Sequence, residues 1–221
     1  MDWPALALSL KLAALTVLLL LPIALFIGRF LATRRFRGRA LIEAALALPL
    51  VLPPTVIGFY LLVGFGAASP LGQAWQALFG HPLAFSFEGL LAASLLVNLP
   101  FAAQPMQRAF EAIPRDLREA AILCGSPLWR QLLHIELPLA WPGILTGLVL
   151  AFAHTIGEFG VVLMVGGSIP GETRTIAIAI YDRVQAFDTT AAGLMSATLL
   201  ALSFATLGLI YALSNRGHRP F

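Results

Sequence analysis

Five stretches of this chain are apolar over about 20 residues, the length needed to cross the hydrocarbon of a bilayer. They run over about 6–28, 41–65, 88–106, 137–165 and 191–213. In lipid every backbone N–H and C=O must find its partner inside the protein, so spans of this kind fold as helices. The expectation is an all-α integral membrane protein with about five transmembrane helices occupying residues 5–214. Charge agrees: 11% of the residues are charged, against roughly a quarter in a soluble domain. The formal net charge of +3 would suit a nucleic-acid partner, but the arginines sit in short loops beside the spans, where they set orientation in the membrane.

The spans differ in regularity. Lys11 lies near the start of the first and can snorkel outward, with Trp3 as an interfacial anchor. Pro49, Pro53 and Pro54 predict a kink or local unwinding in the second. Gly66 to Ser86 has no Lys or Arg and reads as a loop with a short interfacial turn around Trp75. Asn98, Pro100, Gln104 and Pro105 interrupt the third span. Between spans four and five, Ile176, Ile180, Tyr181, Val184 and Phe187 repeat at helical spacing, predicting a short interfacial or re-entrant helix over 175–187. Met1-Asp2-Trp3 has no basic region and no A-x-A site follows, so no cleaved signal peptide is expected.

The arginines give direction. Arg29, Arg34, Arg35, Arg37 and Arg39 follow span one, Arg108, Arg115, Arg118 and Arg130 lie in the loop 107–136, and Arg216 and Arg219 close the chain. Eleven of the 14 Lys and Arg thus fall on one side, leaving Lys11, Arg174 and Arg183 for the other. The positive-inside rule makes the 107–136 loop cytoplasmic, the N-terminus periplasmic and the C-terminus cytoplasmic.

That loop carries its own punctuation. Pro114 suits the first turn of a helix and Gly125 the position just beyond its end. Ser126 offers an N-cap with Pro127 in the following first turn, which predicts a second short helix. On the first helix Leu117, Ala120, Ala121 and Cys124 form a narrow apolar stripe among Arg115, Asp116, Arg118 and Glu119. Such a helix can dock in another protein's groove or rest on the membrane surface, and the residues alone leave both open. An ATP-binding P-loop needs G-x-x-x-x-G-K-[ST], yet the one lysine is Lys11, without glycines before it. Energy from ATP would therefore enter from another polypeptide. No cofactor is implied, and the single cysteine, Cys124, makes neither an internal disulfide nor a multi-cysteine metal site.

Glu119-Ala120-Ala121, Gly125 and Ile135-x-Leu137-Pro138 resemble the E-A-A-x3-G-x9-I-x-L-P pattern of ABC-importer permeases. Leu48 to Val56, Ile156-Gly157-Glu158-Phe159-Gly160 and Ile169 to Ile176 are most similar to molybdate permeases, over nearly the whole chain. Some of those permeases have an additional N-terminal span, for which this chain has no room. The resemblance implies a type I ABC-importer permease fold and a cytoplasmic coupling loop at 107–136, with Glu119, Ala120, Ala121 and Gly125 seated in a cleft of separate ATPase subunits. It also implies a periplasmic oxyanion-binding protein, a homodimer in the inner membrane and no catalysis by this chain. A sulfate or tungstate permease is the alternative, since these oxyanions share charge and shape. An ion-driven secondary transporter is a further one, which would need more midplane ionisable residues than occur here.

A molybdate-like dianion cannot sit unpaired in hydrocarbon, and the spans offer no ring of Lys or Arg. A transient path lined by hydroxyls, amides and kinked backbone is expected, with Thr55, Asn98, Gln104, Thr155 and Glu158 as candidates; helix–helix hydrogen bonding is the alternative role for each. His154 and Glu158 stand four residues apart but nothing completes a metal shell, so a structural pair is expected, with Arg174 as the neutralising partner of Glu158. Gly143, Gly147 and Ala151 predict close helix packing, within the subunit or across a dimer.

Overall fold

Three long helices form the centre of the molecule. In a computed structural model that describes residues 1–215, these are α1 (Trp3–Thr33), α5 (Phe87–Glu111) and α8 (Leu137–Gly157), packed against one another. Around them lie α2 (Arg39–Val51), α3 (Pro54–Phe65), α4 (Pro70–Phe79), α6 (Arg115–Leu123), α7 (Leu128–Gln131), α9 (Gly160–Gly166), α10 (Ile176–Gln185) and α11 (Thr189–Asn215), with no strand among the described residues. Leu20, Ala24 and Leu31 of α1, Ala102, Met106 and Phe110 of α5, and Ala140, Ile144 and Ala151 of α8 make the largest apolar core. Leu18, Ile23 and Phe26 on α1 and Leu200 and Phe204 on α11 are exposed, as suits helices facing lipid tails.

The small residues of α8 explain how closely the central helices approach. A Cβ on Gly147 would sit 2.6 Å from the Ala102 carbonyl oxygen, and one on Gly143 would overlap the Ala109 side chain. Gly143 and Gly147 therefore serve packing within the subunit, against α5, and Ala151 is buried in the same core. Gly28 does the same for α1, where an added Cβ would meet the Gln107 nitrogen at 2.9 Å.

Among the described residues four helices are long and apolar enough to cross a membrane, and a fifth crossing exists if the bent pair α2 and α3 is one span. The stretch 41–65 is thus broken, with a 108° bend at Leu52-Pro53. Pro53 and Pro54 remove two consecutive amide donors, and residues before proline are driven to extended backbone, so one straight helix cannot form. The third stretch, by contrast, stays helical through Pro100 and Pro105 to Glu111; burial on several sides holds it. The stretch expected at 137–165 is different again. Its helix begins at Leu128, passes through a π-helical turn at Leu132–Glu136, and stops at Gly157. Glu158 is extended (φ −67°, ψ 128°), and α9 then restarts at Gly160.

The ends also differ from expectation in detail. The 175–187 segment forms α10, but the face it buries is Ile176, Ile178 and Ala179, while Tyr181, Val184 and Phe187 are exposed. α4 is a full ten-residue helix around Trp75. Arg216 and Arg219, on which part of the expected orientation rests, lie outside the described residues.

Candidate functional site

Two places concentrate polar chemistry: the arginine-rich end, where α6 projects, and a seam between α1, α5 and α8.

Helix α6 is closed by a Schellman motif. The Ser126 N–H bonds the Ala121 carbonyl (3.0 Å) and the Gly125 N–H bonds the Ile122 carbonyl (2.9 Å), with Gly125 at φ +71°. No atom lies within 4 Å of where a Gly125 Cβ would be, so backbone conformation and not space requires glycine there. Pro114 stands at the N-cap, one place before the first turn. Ser126 does not cap the next helix: Pro127 holds that position, and the Ser126 carbonyl accepts from Gln131 Nε2 (2.7 Å). The second short helix of the loop is in fact the start of the helical rod that becomes α8.

Of the α6 side chains only Ala121 is buried. Glu119, Ala120 and Cys124 are exposed, as are Ile122, Leu123 (87%), Leu128 and Trp129. The helix thus carries a large apolar surface on an otherwise charged loop. Arg118 ties it down: its Nε donates to Glu136 Oε1 (3.0 Å) and its Nη2 to the Phe110 carbonyl (2.8 Å). The other Glu136 oxygen accepts from Arg29 on α1. Glu136 is thus a buried carboxylate bridging α6, α1 and the π turn, a brace that sequence reasoning missed. The available signal was a lone Glu inside the Ile135-Glu136-Leu137-Pro138 run, since a buried carboxylate requires partners. Beside it, Arg39 pairs with Glu43 (2.9 Å) and Glu111 (2.6 Å), and Gln107 donates to both carboxylates.

The seam lies roughly 20 Å along α1 from Arg29, given 1.5 Å of rise per residue. Thr16 donates to Ser94 (2.9 Å), which stands 3.5 Å from the Thr155 hydroxyl; Thr155 donates to the Ala151 carbonyl (2.7 Å). The Asn98 amide donates to the Ser94 carbonyl (2.9 Å), and its oxygen meets His154 Nδ1 at 3.0 Å. Phe101 stacks on the His154 ring, centroids 4.1 Å apart. Glu158 Oε1 accepts the Val161 N–H (2.9 Å), closing the first turn of α9, while Oε2 lies 3.7 Å from His154 Nε2.

The sequence-predicted path residues therefore divide. Asn98 is buried in a bond to His154 across helices. Thr155 is buried with its hydroxyl donated to the Ala151 carbonyl of its own helix and 3.5 Å from Ser94, and Glu158 is buried with its side chain capping the first turn of α9. Thr55 is exposed at the start of α3, and Gln104 is partly exposed beside a small cavity of about 140 Å³ shared with Glu43 and Arg108. The two helix breaks adjoin, because a Cβ on Gly160 would meet Pro54 at 2.7 Å. Arg174 is not the partner of Glu158. It pairs with Asp182 (3.0 Å) and Asp2 (3.8 Å), fastening the loop before α10 to the start of α1. In the same loop Thr173 bonds the Gly166 carbonyl and the Ile169 N–H, and Ser9 accepts the Ile176 N–H. The run Ile169 to Ile176 is in this chain a folded turn and not an open loop.

This fold and loop are those of a known class. Residues 21–219 match the family described as the binding-protein-dependent transport system inner membrane component, and the chain belongs to it. Its fold is the type I ABC-importer permease fold. A chain from the crystal structure of a bacterial alginate ABC transporter, in complex with alginate pentasaccharide-bound periplasmic protein, superposes with a TM-score of 0.76 at 16% identity, over 96% of this chain and 78% of that one. A chain of an amino acid ABC transporter gives 0.62 at 17% identity, covering 96% and 92%. Among curated relatives, the molybdenum transport system permease protein ModB of Azotobacter vinelandii is 47% identical, covering 96% of this chain and 93% of the relative. The ModB protein of Escherichia coli K12 is 41% identical over 83% and 80%. The sulfate transport system permease protein CysT of the same organism is 31% identical over 87% and 69%. The protein is accordingly a multi-pass protein of the inner membrane.

Proposed function

We propose that this chain is the permease subunit of an ATP-driven molybdate importer, and that α6 is the surface through which a separate ATPase drives it. The observation that carries the reading is the placement of Glu119, Ala120 and Leu123 on the exposed faces of a helix closed at Gly125 and braced by one buried carboxylate. The molybdenum relatives are more similar than the sulfate one, which supports molybdate over sulfate as cargo.

In this reading the arginine-rich end faces the cytoplasm and the N-terminus the periplasm, where a substrate-binding protein delivers the oxyanion. Two copies related by a two-fold axis enclose the path, matching a two-fold ATPase dimer. Closure of the ATPases pushes α6. Arg118 passes the displacement to Glu136, and Glu136 passes it both to α1 through Arg29 and to α8 through the π turn. The central helices then rock as a body, giving alternating access. Thr55 and Gln104 line the path, while Asn98, Thr155 and Glu158 hold its wall together. ATP is hydrolysed on the partner chain, and this chain supplies no catalytic group.

The test is reconstitution in proteoliposomes with the cognate ATPase and binding protein, scored as ATP-dependent uptake of molybdate against sulfate. Uptake of molybdate that requires ATP, the binding protein and α6 is expected. Uptake driven by an ion gradient without the ATPase contradicts the assignment, and a preference for sulfate contradicts the cargo.

A further inference from the structure

The hydrogen bonds around His154 fix which of its nitrogens carries a proton. The Ser94 carbonyl can only accept, so the group facing it at 2.9 Å is the Asn98 amide nitrogen. The Asn98 oxygen must then be the atom 3.0 Å from His154 Nδ1, and Nδ1 must donate to it. In a neutral ring this leaves Nε2 as a bare lone pair, 3.7 Å from Glu158 Oε2. The opposite Glu158 oxygen is already occupied by the Val161 N–H. Two such lone pairs 3.7 Å apart repel, the Glu158 residue being 8% exposed and the His154 side chain 32% exposed.

We propose that His154 and Glu158 share one proton, so that the pair is electrically neutral whichever of the two holds it. His154 is then a positioning residue: it cancels the charge of the carboxylate that caps α9 at the junction of α8, α9 and α3. The neighbouring groups supply no substitute. The seam offers the hydroxyls of Thr16, Ser94 and Thr155, the amide of Asn98 and the ring of Phe101, none of them charged. Among the described residues His154 is the one ion-pair partner of Glu158. An uncancelled carboxylate there would destabilise the break and repel an oxyanion passing Thr55. The inference rests on the oxyanion-importer reading only through its assay.

Three variants test it: Glu158→Gln, His154→Leu, and the two together. A glutamine keeps the cap on Val161 and offers an N–H to Nε2, so Glu158→Gln is expected to retain uptake within about threefold. His154→Leu strands a buried carboxylate and is expected to lose about tenfold or more. Adding Glu158→Gln to His154→Leu removes the charge and should return uptake to within about threefold of the wild type. A role for His154 in packing against Phe101 alone predicts no such rescue. If His154→Leu does not accumulate in the membrane, the amount inserted becomes the readout: rescue by Glu158→Gln supports the shared proton, and no rescue overturns it. Loss of uptake in Glu158→Gln alone, as large as that of His154→Leu, also overturns it. Absence of uptake in the wild type would instead count against the importer reading.

Discussion

The α6 loop and the α1–α5–α8 seam are both polar, and they handle polarity in opposite ways. At α6 the charges are full, paired across long side chains and partly wet: Arg118 and Arg29 keep 20% and 31% exposure while Glu136 keeps 3%. In the seam the groups are hydroxyls and an amide that are almost wholly buried, joined at one edge by the imidazole of His154, which keeps 32% exposure. Water within reach of the loop lets ions pair at modest cost, whereas hydrocarbon tolerates only neutral donors and acceptors. The difference separates two jobs. The loop has few buried side chains and can move as a lever on one ionic hinge, while the seam locks three helices into one body that can be rocked.

If that contrast is right, the largest stability change should come from the hinge. Glu136→Ala leaves Arg118 and Arg29 without their shared partner and should cost about 3 kcal/mol, read as a lowered thermal midpoint in detergent. A neutral effect would mean that the arginines find other partners and that no hinge exists. Gly147→Ala should come next, at about 2 kcal/mol, because its Cβ meets a backbone carbonyl that cannot yield. Unchanged stability would show α5 and α8 to be less tightly joined than a single body requires. Thr16→Val removes one seam hydrogen bond and should cost only about 0.6 kcal/mol, the mean for such bonds in membranes. A loss near that of Glu136→Ala would erase the distinction between hinge and seam. Leu123→Ala should leave stability within about 0.5 kcal/mol, as surface changes do, yet weaken binding of the ATPase in a pull-down. Unaltered binding would move the contact surface off this face of α6.

Much of this could be read along the chain, and what could not shares a cause. The apolar lengths predict the crossings, and Glu119-Ala120-Ala121 with Gly125 marks the loop, because both signals are local. Where α8 begins and ends was hidden. Arg130 and His134 suggest a loop, but α7 and the π turn after it carry the helix through them, and Gly157 to Gly160 breaks a stretch that reads as one apolar span. Pairings across the chain were hidden as well. Arg29 and Glu136 are 107 residues apart and Asn98 and His154 are 56 apart, so no spacing rule connects them. A buried carboxylate wants a cation, which points from Glu158 to Arg174; the fold instead gives that cation to Asp182 and Asp2 and gives Glu158 a helix N-terminus and His154.

The central claim is that energy enters through α6, and Gly125 is where it can be tested with least disturbance elsewhere. A β-branched side chain has open space there but cannot adopt φ +71° without strain, so Gly125→Val should reshape the exit of α6 and little else. In proteoliposomes with ATPase and binding protein, the variant should insert into the membrane and permit ATP hydrolysis while molybdate uptake falls to background. Uptake that stays ATP-dependent and equal to the wild type would contradict the account.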